Sequence, residues 1–429
     1  MTLPDELTFG GARALNGSVR LPGDKSISHR ALLFAAVASG DSSITNLATG
    51  DDVQATRAAI AALGVHVAVD RNAVTVTGAG FEGLREPEVV LDCGNSGTSM
   101  RVLAGLLAGR PFFSVLAGDE SLSRRPMRRV TEPLRAMGAR VDGRDGGQYA
   151  PLSIHGGELA GTRHELSVAS AQVKSALMLA GLQASGITEI ISPALTRDHS
   201  ERMLVALGVP VEVDGACVRV QAGVPEAFAL DVPGDPSSAA FFVVAALITP
   251  GSDLTIESVS INPTRLGFVD VLRRMGGDIS VELAGERCGE PVGNIRVQAS
   301  ALVATTIEGD EIPNVQDEVP ALAVAAAFAD GVTEVRDASE LAVKESNRIT
   351  TLQQMLTGLG LAVESRADGL VIRGGHPRAA RLQSLGDHRI AMAAAVAANA
   401  VDGASTVSGW PAVASSYPEF ADELARLTQ

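Results

Sequence analysis

Glycines that follow a Leu or Met divide this 429-residue chain into segments of similar length. They stand at intervals of 74, 70, 68 and 84 residues, at Gly64, Gly138, Gly208, Gly276 and Gly360. Glycine is favoured just past a helix because it adopts the left-handed conformation without a steric penalty. Each interval also holds a polar loop, an Ala/Leu helix pattern and β-branched strand patterns. About 70 residues is too long for a solenoid repeat, so the sequence predicts six small α/β units, in two sets of three.

Composition and charge narrow the possible functions. The chain has 35 Lys and Arg against 50 Asp and Glu, with only 3% aromatic residues, so nucleic-acid binding is not expected. No apolar run reaches the roughly 18 residues that a transmembrane helix needs, so no membrane partner is expected. The first six residues have no targeting signal, which predicts a cytoplasmic protein. Three separated Cys residues without Cys/His ligand spacing predict neither a disulfide framework nor a zinc site.

Cations recur where the repeats begin, at positions where a helix normally disfavours them. A helix N-terminus carries partial positive charge, so a cation there costs about 0.3–1 kcal/mol. Lys or Arg behind a loop of Gly, Ser and Thr is instead typical of an anion site. For any single Lys or Arg, an ordinary solvated cation is the simpler interpretation. The recurrence of cations at equivalent repeat positions instead favours a site for substrates with several negative charges. The cations in question are Lys25, Arg30, Arg101, Arg124, Arg125, Arg128, Arg129, Lys174, Lys344, Arg348, His388 and Arg389.

Two carboxylates lie among these cations in the sequence pattern. Asp317 opens an Ala-rich helix pattern, which is compatible with a helix N-cap or with a general base for a hydroxyl. Glu345 lies between Lys344 and Arg348, which is compatible with an ion pair or with a proton donor or acceptor. No Cys nucleophile or Ser-His pair is visible, so covalent catalysis is not indicated.

Five segments together resemble the 5-enolpyruvylshikimate-3-phosphate synthase family, and the resemblance covers essentially the whole chain. As an ordered set they are specific to that family. The segments are Leu21–Arg30, Gly94–Arg101, Arg125–Met127, Val343–Arg348 and Asp387–Met392.

The resemblance implies an α/β fold of two similar domains, each built of three βαβαββ repeats as an inside-out α/β barrel. The domains would comprise residues 22–231 and residues 1–21 plus 232–429, with the active site in the interdomain cleft. The implied reaction transfers the enolpyruvyl group of phosphoenolpyruvate to the 5-hydroxyl of shikimate 3-phosphate and releases phosphate. It proceeds through a tetrahedral intermediate, uses no metal or organic cofactor, and belongs to aromatic amino acid biosynthesis. A monomer is expected.

The resemblance also implies roles for individual residues. Asp317 would take the proton of the 5-hydroxyl; Glu345, with Lys25, would handle the proton at the enol methylene, and His388 would support that carboxylate. Shikimate 3-phosphate would be bound by Lys25, Ser26, Arg30, Ser170, Gln172, Arg197, Asp317 and Lys344. Phosphoenolpyruvate would be bound by Lys25, Asn95, Gly97, Thr98, Arg125, Gln172, Arg348 and Arg389.

The chain departs from the common family pattern at two places. It has Ser170-Ala171-Gln172 where many members have Ser-Ser-Gln, and Ser415 where many have a Lys. Arg197 is expected to supply a substitute contact to shikimate 3-phosphate. Gly97 leaves the room that the herbicide glyphosate needs, which predicts a glyphosate target.

Two alternative functions are compatible with the sequence. The sister enolpyruvyl transferase acting on UDP-N-acetylglucosamine usually carries a reactive Cys in a mobile loop, and the segment 118–127 has none. A non-catalytic anion-binding scaffold would need neither Asp317 nor Glu345 among the cations.

Overall fold

The computed structural model describes residues 3–11, 13–71 and 73–428. The chain divides into two compact units. The N-terminal unit comprises Gly23–Val232 and Glu286–Glu290, and the C-terminal unit comprises Met1–Pro22, Pro233–Gly285 and Pro291–Gln429. The sequence-based bounds leave residues 286–290 in the C-terminal domain, whereas their contacts group them with the N-terminal unit.

The first strands of the chain, β1 (Glu6–Gly10) and β2 (Asn16–Arg20), belong to the C-terminal unit. The helices of the N-terminal unit are α1 (Lys25–Val37), α2 (Asp51–Ala62), α3 (Gly97–Ala108), α4 (Arg128–Ala136), the single turn α5 (Arg144–Gly147), α6 (Ala171–Gly181) and α7 (His199–Ala206). Its strands are β3 (Ser39–Thr45), β4 (His66–Asp70), β5 (Ala73–Ala79), β6 (Leu91–Asp92), β7 (Phe113–Ala117), β8 (Arg140–Gly143), β9 (Tyr149–His155), β10 (Leu159–Ala160), β11 (Arg163–Glu165), β12 (Ala184–Ser185), β13 (Thr188–Ile191), β14 (Val211–Asp214), β15 (Cys217–Val220) and β16 (Ala229–Asp231).

The remaining elements form the rest of the C-terminal unit. Its helices are α8 (Pro236–Ile248), α9 (Gly267–Arg274), the short α10 (Ile312–Val315), α11 (Val319–Phe328), α12 (Arg348–Gly358), α13 (His388–Asn399) and α14 (Phe420–Leu427). Its strands are β17 (Asp253–Ser260), β18 (Asp278–Arg287, whose last two residues group with the N-terminal unit), β19 (Glu290–Gln298, which begins there), β20 (Thr306–Ile307), β21 (Val332–Val335), β22 (Ala362–Arg366), β23 (Gly369–Arg373), β24 (Arg381–Gln383) and β25 (Ala404–Ser408). Short 3-10 segments lie at Leu122–Arg124, Pro263–Arg265, Gly309–Glu311, Ser339–Val343 and Trp410–Ser415.

The sheets of the N-terminal unit repeat one topology. Over residues 23–71 and 73–232, three four-stranded sheets have the orders β16-β3-β5-β4, β6-β7-β9-β8 and β11-β13-β15-β14, and β10 pairs with β12. In each four-stranded sheet the first two strands run parallel and the later pairs run antiparallel. The prediction of three α/β repeats in this half is confirmed.

The C-terminal unit follows the same scheme with one shortened member. The sheets β2-β17-β19-β18 and β20-β21-β23-β22 again begin with a parallel pair. The third sheet has three strands in the described residues, β24-β25-β1, with β24 parallel and β1 antiparallel to β25. Each unit has its own hydrophobic core.

Helices that are apolar on nearly every face carry several of the predicted site residues in or just before their first turns. α1, α3 and α6 are buried along most of their length, and each has a capping side chain. Asp24, Ser96 and Ser170 accept hydrogen bonds from the backbone two to three residues into these helices. α3 and α6 approach so closely that a Cβ at Gly105 would lie 2.0 Å from the Ala176 carbonyl oxygen. The capped helix ends therefore belong to helices that are tightly packed in the core of the unit.

The glycines that define the repeat behave as the sequence predicts. Gly64, Gly138, Gly208, Gly276 and Gly360 have φ between 78° and 116°. A residue with a Cβ is disfavoured there, which explains the regular spacing. Among the described residues, no helix is long and apolar enough to cross a membrane.

Candidate active site

The first helix of the N-terminal unit begins with a lysine held by an acid. Lys25 is the first residue of α1, and its Nζ lies 2.9 Å from Oδ2 of Asp52 near the start of α2. The side chains are 15% and 9% exposed. Asp52 offsets the cost of a cation at a helix N-terminus. Asp52 was not predicted as a partner of Lys25, because acids are ordinary in a first helical turn.

Arg30 lies one turn further along α1 and is almost fully buried. Its Nε donates to the Ser200 hydroxyl at 2.7 Å, Nη2 to the Ser175 hydroxyl at 2.6 Å, and Nη1 to the Ser26 carbonyl oxygen at 2.8 Å. Burial lowers the pKa of Arg30 to about 10, against the opposing field of Glu201 and other acids. The guanidinium is therefore charged at neutral pH and fixed in direction by hydroxyls on α6 and α7.

Arg125 and Asn95 form a second contact. Arg125 Nη2 donates to Asn95 Oδ1 at 2.5 Å, and Asn95 Nδ2 donates to Asp119 Oδ2 at 2.6 Å. Asn95 thus has a fixed amide orientation, with oxygen toward the cation and nitrogen toward the acid. Arg125 is 7% exposed. The structure brings these two predicted phosphoenolpyruvate ligands together.

Gln172 connects α6 with α3. Arg101 Nη1 donates to Gln172 Oε1 at 2.5 Å, and Gln172 Nε2 donates to the Thr98 hydroxyl at 2.9 Å. Arg101 was among the cations at helix starts but not among the predicted ligands. Its observed role is to orient Gln172 and, through it, Thr98.

Gly97 lies against two of these guanidinium groups. A Cβ at Gly97 would stand 2.8 Å from Arg101 Nη1 and 3.4 Å from Arg125 Nη1. A side chain at residue 97 would therefore have to displace the Arg101 guanidinium.

The other predicted ligands of this unit occupy separate positions. Ser170 caps α6 by accepting from the Val173 amide. Arg197 lies near enough to Arg30 to lower the pKa of that guanidinium. Lys174, one of the cations at repeat starts, forms a buried ion pair with Glu201, so it neutralises an interior acid.

In the C-terminal unit, Arg348 is surrounded by carboxylates. Its Nε lies 2.9 Å from Asp387 Oδ2 and its Nη2 lies 2.6 Å from Glu345 Oε2. Burial alone would lower the pKa of Arg348, but Asp387, Glu345 and Asp317 outweigh it and raise that pKa above its usual value. Arg348, 1% exposed, is thus a permanent cation that holds Glu345 in place.

Asp317 is the partly exposed carboxylate of this group. Its Oδ1 lies 3.4 Å from both Lys344 Nζ and Arg348 Nη1, and its Oδ2 lies 3.9 Å from Arg389 Nη2. The side chain is 21% exposed. A carboxylate that meets three cations and still reaches solvent is well placed to act on a polar, anionic substrate.

The N-cap interpretation of Asp317 is wrong. α11 begins at Val319 with Glu318 at its N-cap position, and Asp317 lies in the preceding turn. Asp387 does cap α13, where it accepts from the Arg389 amide at 2.9 Å. Its pairing with Arg348 was not predicted, because the two residues lie 39 positions apart.

His388 is the first residue of α13 and is 3% exposed. Its support of Glu345 stays a prediction. No group of three or more His, Cys, Asp or Glu side chains in the described part of the chain is arranged to hold a metal ion.

Comparisons with known proteins agree with this geometry. The family model of EPSP synthase (3-phosphoshikimate 1-carboxyvinyltransferase) matches residues 10–424. The 3-phosphoshikimate 1-carboxyvinyltransferase of Bacillus cereus (strain B4264) is 47% identical over 417 residues, covering 97% of each chain. That of Citrifermentans bemidjiense is 49% identical over 425 residues, covering 98% of this chain and 99% of the relative.

Solved structures give the same result. EPSP synthase from Acinetobacter baumannii superposes with a TM-score of 0.88 at 40% identity, covering 99% of this chain and 98% of that one. The enolpyruvyl transferase NikO from Streptomyces tendae has a TM-score of 0.79 at 19% identity, with 99% and 97% coverage, which shows a shared fold. On sequence and structure together, the chain belongs to the EPSP synthase family, the 3-phosphoshikimate 1-carboxyvinyltransferases, and is an enzyme of that class.

Proposed function

We propose that the chain transfers the enolpyruvyl group of phosphoenolpyruvate to the 5-hydroxyl of shikimate 3-phosphate, in the family's route to aromatic amino acids, using the residues described above. The observation that carries the proposal is Asp317, a carboxylate within 3.4–3.9 Å of three cations and open to solvent. Family membership removes the sister transferase and the non-catalytic scaffold as alternatives.

The N-terminal unit is proposed to supply most of the anion binding. Both substrates carry negative charge, so bringing them together requires cations that offset their repulsion. Arg30, fixed by Ser175 and Ser200, is suited to the phosphate of shikimate 3-phosphate, because its direction is set before substrate arrives. Ser26, Ser170 and Arg197 complete the proposed shikimate 3-phosphate ligands on this unit, with Lys25 shared between both substrates.

The phosphoenolpyruvate ligands are proposed to group around α3. Gly97 and Thr98 lie in its first turn, where free amides favour a phosphate oxygen. Arg125 and Gln172 lie beside this turn, where Arg125 donates a hydrogen bond to Asn95 and Gln172 donates one to Thr98. Arg348 and Arg389 are the proposed ligands of this substrate on the C-terminal unit.

The proposed chemistry has two steps. In the addition, the 5-hydroxyl oxygen forms a bond to the enol carbon of phosphoenolpyruvate, its proton passes to Asp317, and the methylene carbon gains a proton. In the elimination, the resulting methyl group loses a proton and the carbon–oxygen bond to phosphate breaks. Glu345, whose Oε2 lies 2.6 Å from Arg348 Nη2, is proposed to donate the proton to the methylene carbon and later to remove it from the methyl group. Lys25 and His388 are proposed to assist in these proton transfers. Lys344 and Asp317 are proposed to orient the shikimate hydroxyls.

Further properties are proposed from the sequence. The proposed domains are residues 22–231 and residues 1–21 plus 232–429, except that residues 286–290 group with the N-terminal unit. The protein is proposed to be a cytoplasmic monomer. Gly97 leaves room for glyphosate, and steady-state inhibition that does not compete with phosphoenolpyruvate would reject this. Arg197 lies near Arg30, which supports its role as the substitute shikimate-side contact in a chain with Ala171.

Phosphate release tests the substrate assignment. We expect release from phosphoenolpyruvate with shikimate 3-phosphate as acceptor and none with UDP-N-acetylglucosamine. A folded protein that is inactive with shikimate 3-phosphate would reject the proposal.

Replacing the proposed base tests its role. Asp317→Ala should remove turnover while shikimate 3-phosphate still binds, as measured by calorimetry. Asp402→Ala, which removes an exposed carboxylate of the same unit, is the matched control and should leave turnover unchanged. Undiminished turnover in Asp317→Ala would refute the assigned role.

A further inference from the structure

A second carboxylate immediately follows Asp317 and has no part in the proposed chemistry. Glu318 is 0% exposed, whereas Asp317 reaches solvent. Both lie in the turn between α10 and α11. Adjacent side chains therefore point to opposite environments, one to the interior and one to the cations.

Glu318 is bound to an internal group of polar residues, here called the anchoring cluster, which consists of Asp235, Ser237, Arg265 and Glu318. The Ser237 hydroxyl donates to Glu318 Oε1. Arg265 Nη2 donates to the Ser237 hydroxyl at 2.9 Å and to Asp235 Oδ1 at 3.1 Å. Asp235 caps α8 by accepting from the Ser237 amide at 2.7 Å.

The side chains of the anchoring cluster are buried, and hydrogen bonds among them limit their movement. A polar side chain is costly to bury unless it is hydrogen-bonded. Arg265 is 1% exposed and supplies the positive charge of the cluster, and Ser237 connects it to Glu318. Moving the Glu318 side chain would break these contacts, so residue 318 fixes the local backbone.

Three ionic contacts of the Asp317 carboxylate are long. They measure 3.4, 3.4 and 3.9 Å, longer than the 2.7–2.9 Å of a strong charge-assisted hydrogen bond. The backbone of its turn also sets the direction of the Asp317 side chain, and the adjacent Glu318 side chain is buried in the interior.

We propose that Glu318 is a positioning residue for Asp317, acting through the anchoring cluster. The inference rests on the proposed function, since it requires Asp317 to be the group that accepts the hydroxyl proton. Misplacing a reacting group by about 1 Å can reduce a rate about 100-fold, so loss of the anchor has a measurable consequence.

The test begins with two substitutions at one position. Glu318→Ala should lower kcat by about 100-fold, while the KM for phosphoenolpyruvate changes by less than about threefold. Glu318→Gln retains an oxygen that accepts from Ser237, and it should keep kcat within about tenfold of the parent. Glu364→Ala removes an exposed carboxylate of the same unit and should change neither parameter. Equal kcat in Glu318→Ala and the parent would overturn the proposal.

A double-mutant cycle separates positioning from a general structural effect. If Glu318 acts through Asp317, then Glu318→Ala should cause no further loss of kcat once Asp317→Asn is present. Single-turnover phosphate release at high enzyme concentration measures the residual rates. A loss that multiplies in the double variant would overturn the proposal. If Asp317→Asn alone leaves kcat unchanged, the proposed base is wrong, which is a different outcome.

A milder substitution keeps the test decisive if Glu318→Ala fails to fold. Ser237→Ala removes the hydroxyl that joins Arg265 to Glu318 with little change in volume. It should lower kcat several-fold, and this loss too should vanish in the Asp317→Asn background. Ser237→Ala with full kcat, or with an unchanged effect in that background, would overturn the proposal.

Discussion

Adding one methyl group at Gly97 tests how closely the first turn of α3 is fitted to an anion. In Gly97→Ala, the new Cβ would lie 2.8 Å from Arg101 Nη1. Ordinary contact begins at 3.4 Å, so Arg101 has to retreat by about 0.6 Å. Arg101 cannot move alone, because it is bonded to Gln172, which is bonded to Thr98.

The size of the effect follows from these bonds. Losing one charge-assisted hydrogen bond costs about 1.5–3 kcal/mol, and about 1.4 kcal/mol corresponds to a tenfold change in affinity. We therefore expect the KM for phosphoenolpyruvate to rise between about 10-fold and 100-fold. The free energy of unfolding should fall by only about 0.5–2 kcal/mol, because the preference of a helix for Ala over Gly, up to about 1 kcal/mol, offsets part of the lost hydrogen bond.

Initial rates of phosphate release at saturating shikimate 3-phosphate measure this KM, and urea unfolding measures stability. Gly157→Ala is the matched control in the same unit, since a Cβ there meets nothing within 4 Å. The control should leave the KM unchanged. A KM within twofold of the parent in Gly97→Ala would refute the reasoning that the glycine is required by its two arginine neighbours.

Three further outcomes are expected. Arg348→Lys keeps the charge but loses the fork that grips two carboxylates, so kcat/KM should fall by at least 100-fold in steady-state assays; a smaller loss would contradict the role of the fork. Glu290→Ala removes a hydrogen-bond partner that lies 2.6 Å from the Nδ1 atom of buried His199. It should lower the free energy of unfolding by about 1–3 kcal/mol in urea, and an unchanged midpoint would disprove this. Burial above all, with two neighbouring cations, lowers the pKa of His29 well below 6.5, so the unfolded chain binds an extra proton below that pH. Stability should therefore decline by about 1.4 kcal/mol per pH unit as pH falls below 6.5, and His29→Asn should lack this slope in urea titrations.

The repeat architecture could be predicted because its signals are local. Gly64 or Gly276 is required by the φ of its own residue, so the pattern is visible without any tertiary structure. The cations at repeat starts were visible for a similar reason, since a lysine such as Lys25 conflicts with its own helix dipole.

Partners distant in sequence could not be predicted in this way. Asp52 looks like any acid in a first helical turn, and only folding places it beside Lys25. Arg101 was visible as a cation, but its bond to Gln172 depends on how α3 packs on α6. Asp317 was open to an N-cap interpretation because a helix start is uncertain by one or two residues from sequence alone.

The pairing of β1 with β25 affects the order in which the sheets of this protein can form during synthesis. Its partner β25 lies at residues 404–408, so β1 has no ladder to join until nearly the whole chain has been made. Residues 23–232, by contrast, form a nearly complete unit that can fold while the ribosome is still translating the second half. The strand at residues 6–10 must therefore stay unpaired with β25 until residues 404–408 have been synthesised. A protein fused before residue 6 would lie beside the sheet that these two distant strands form.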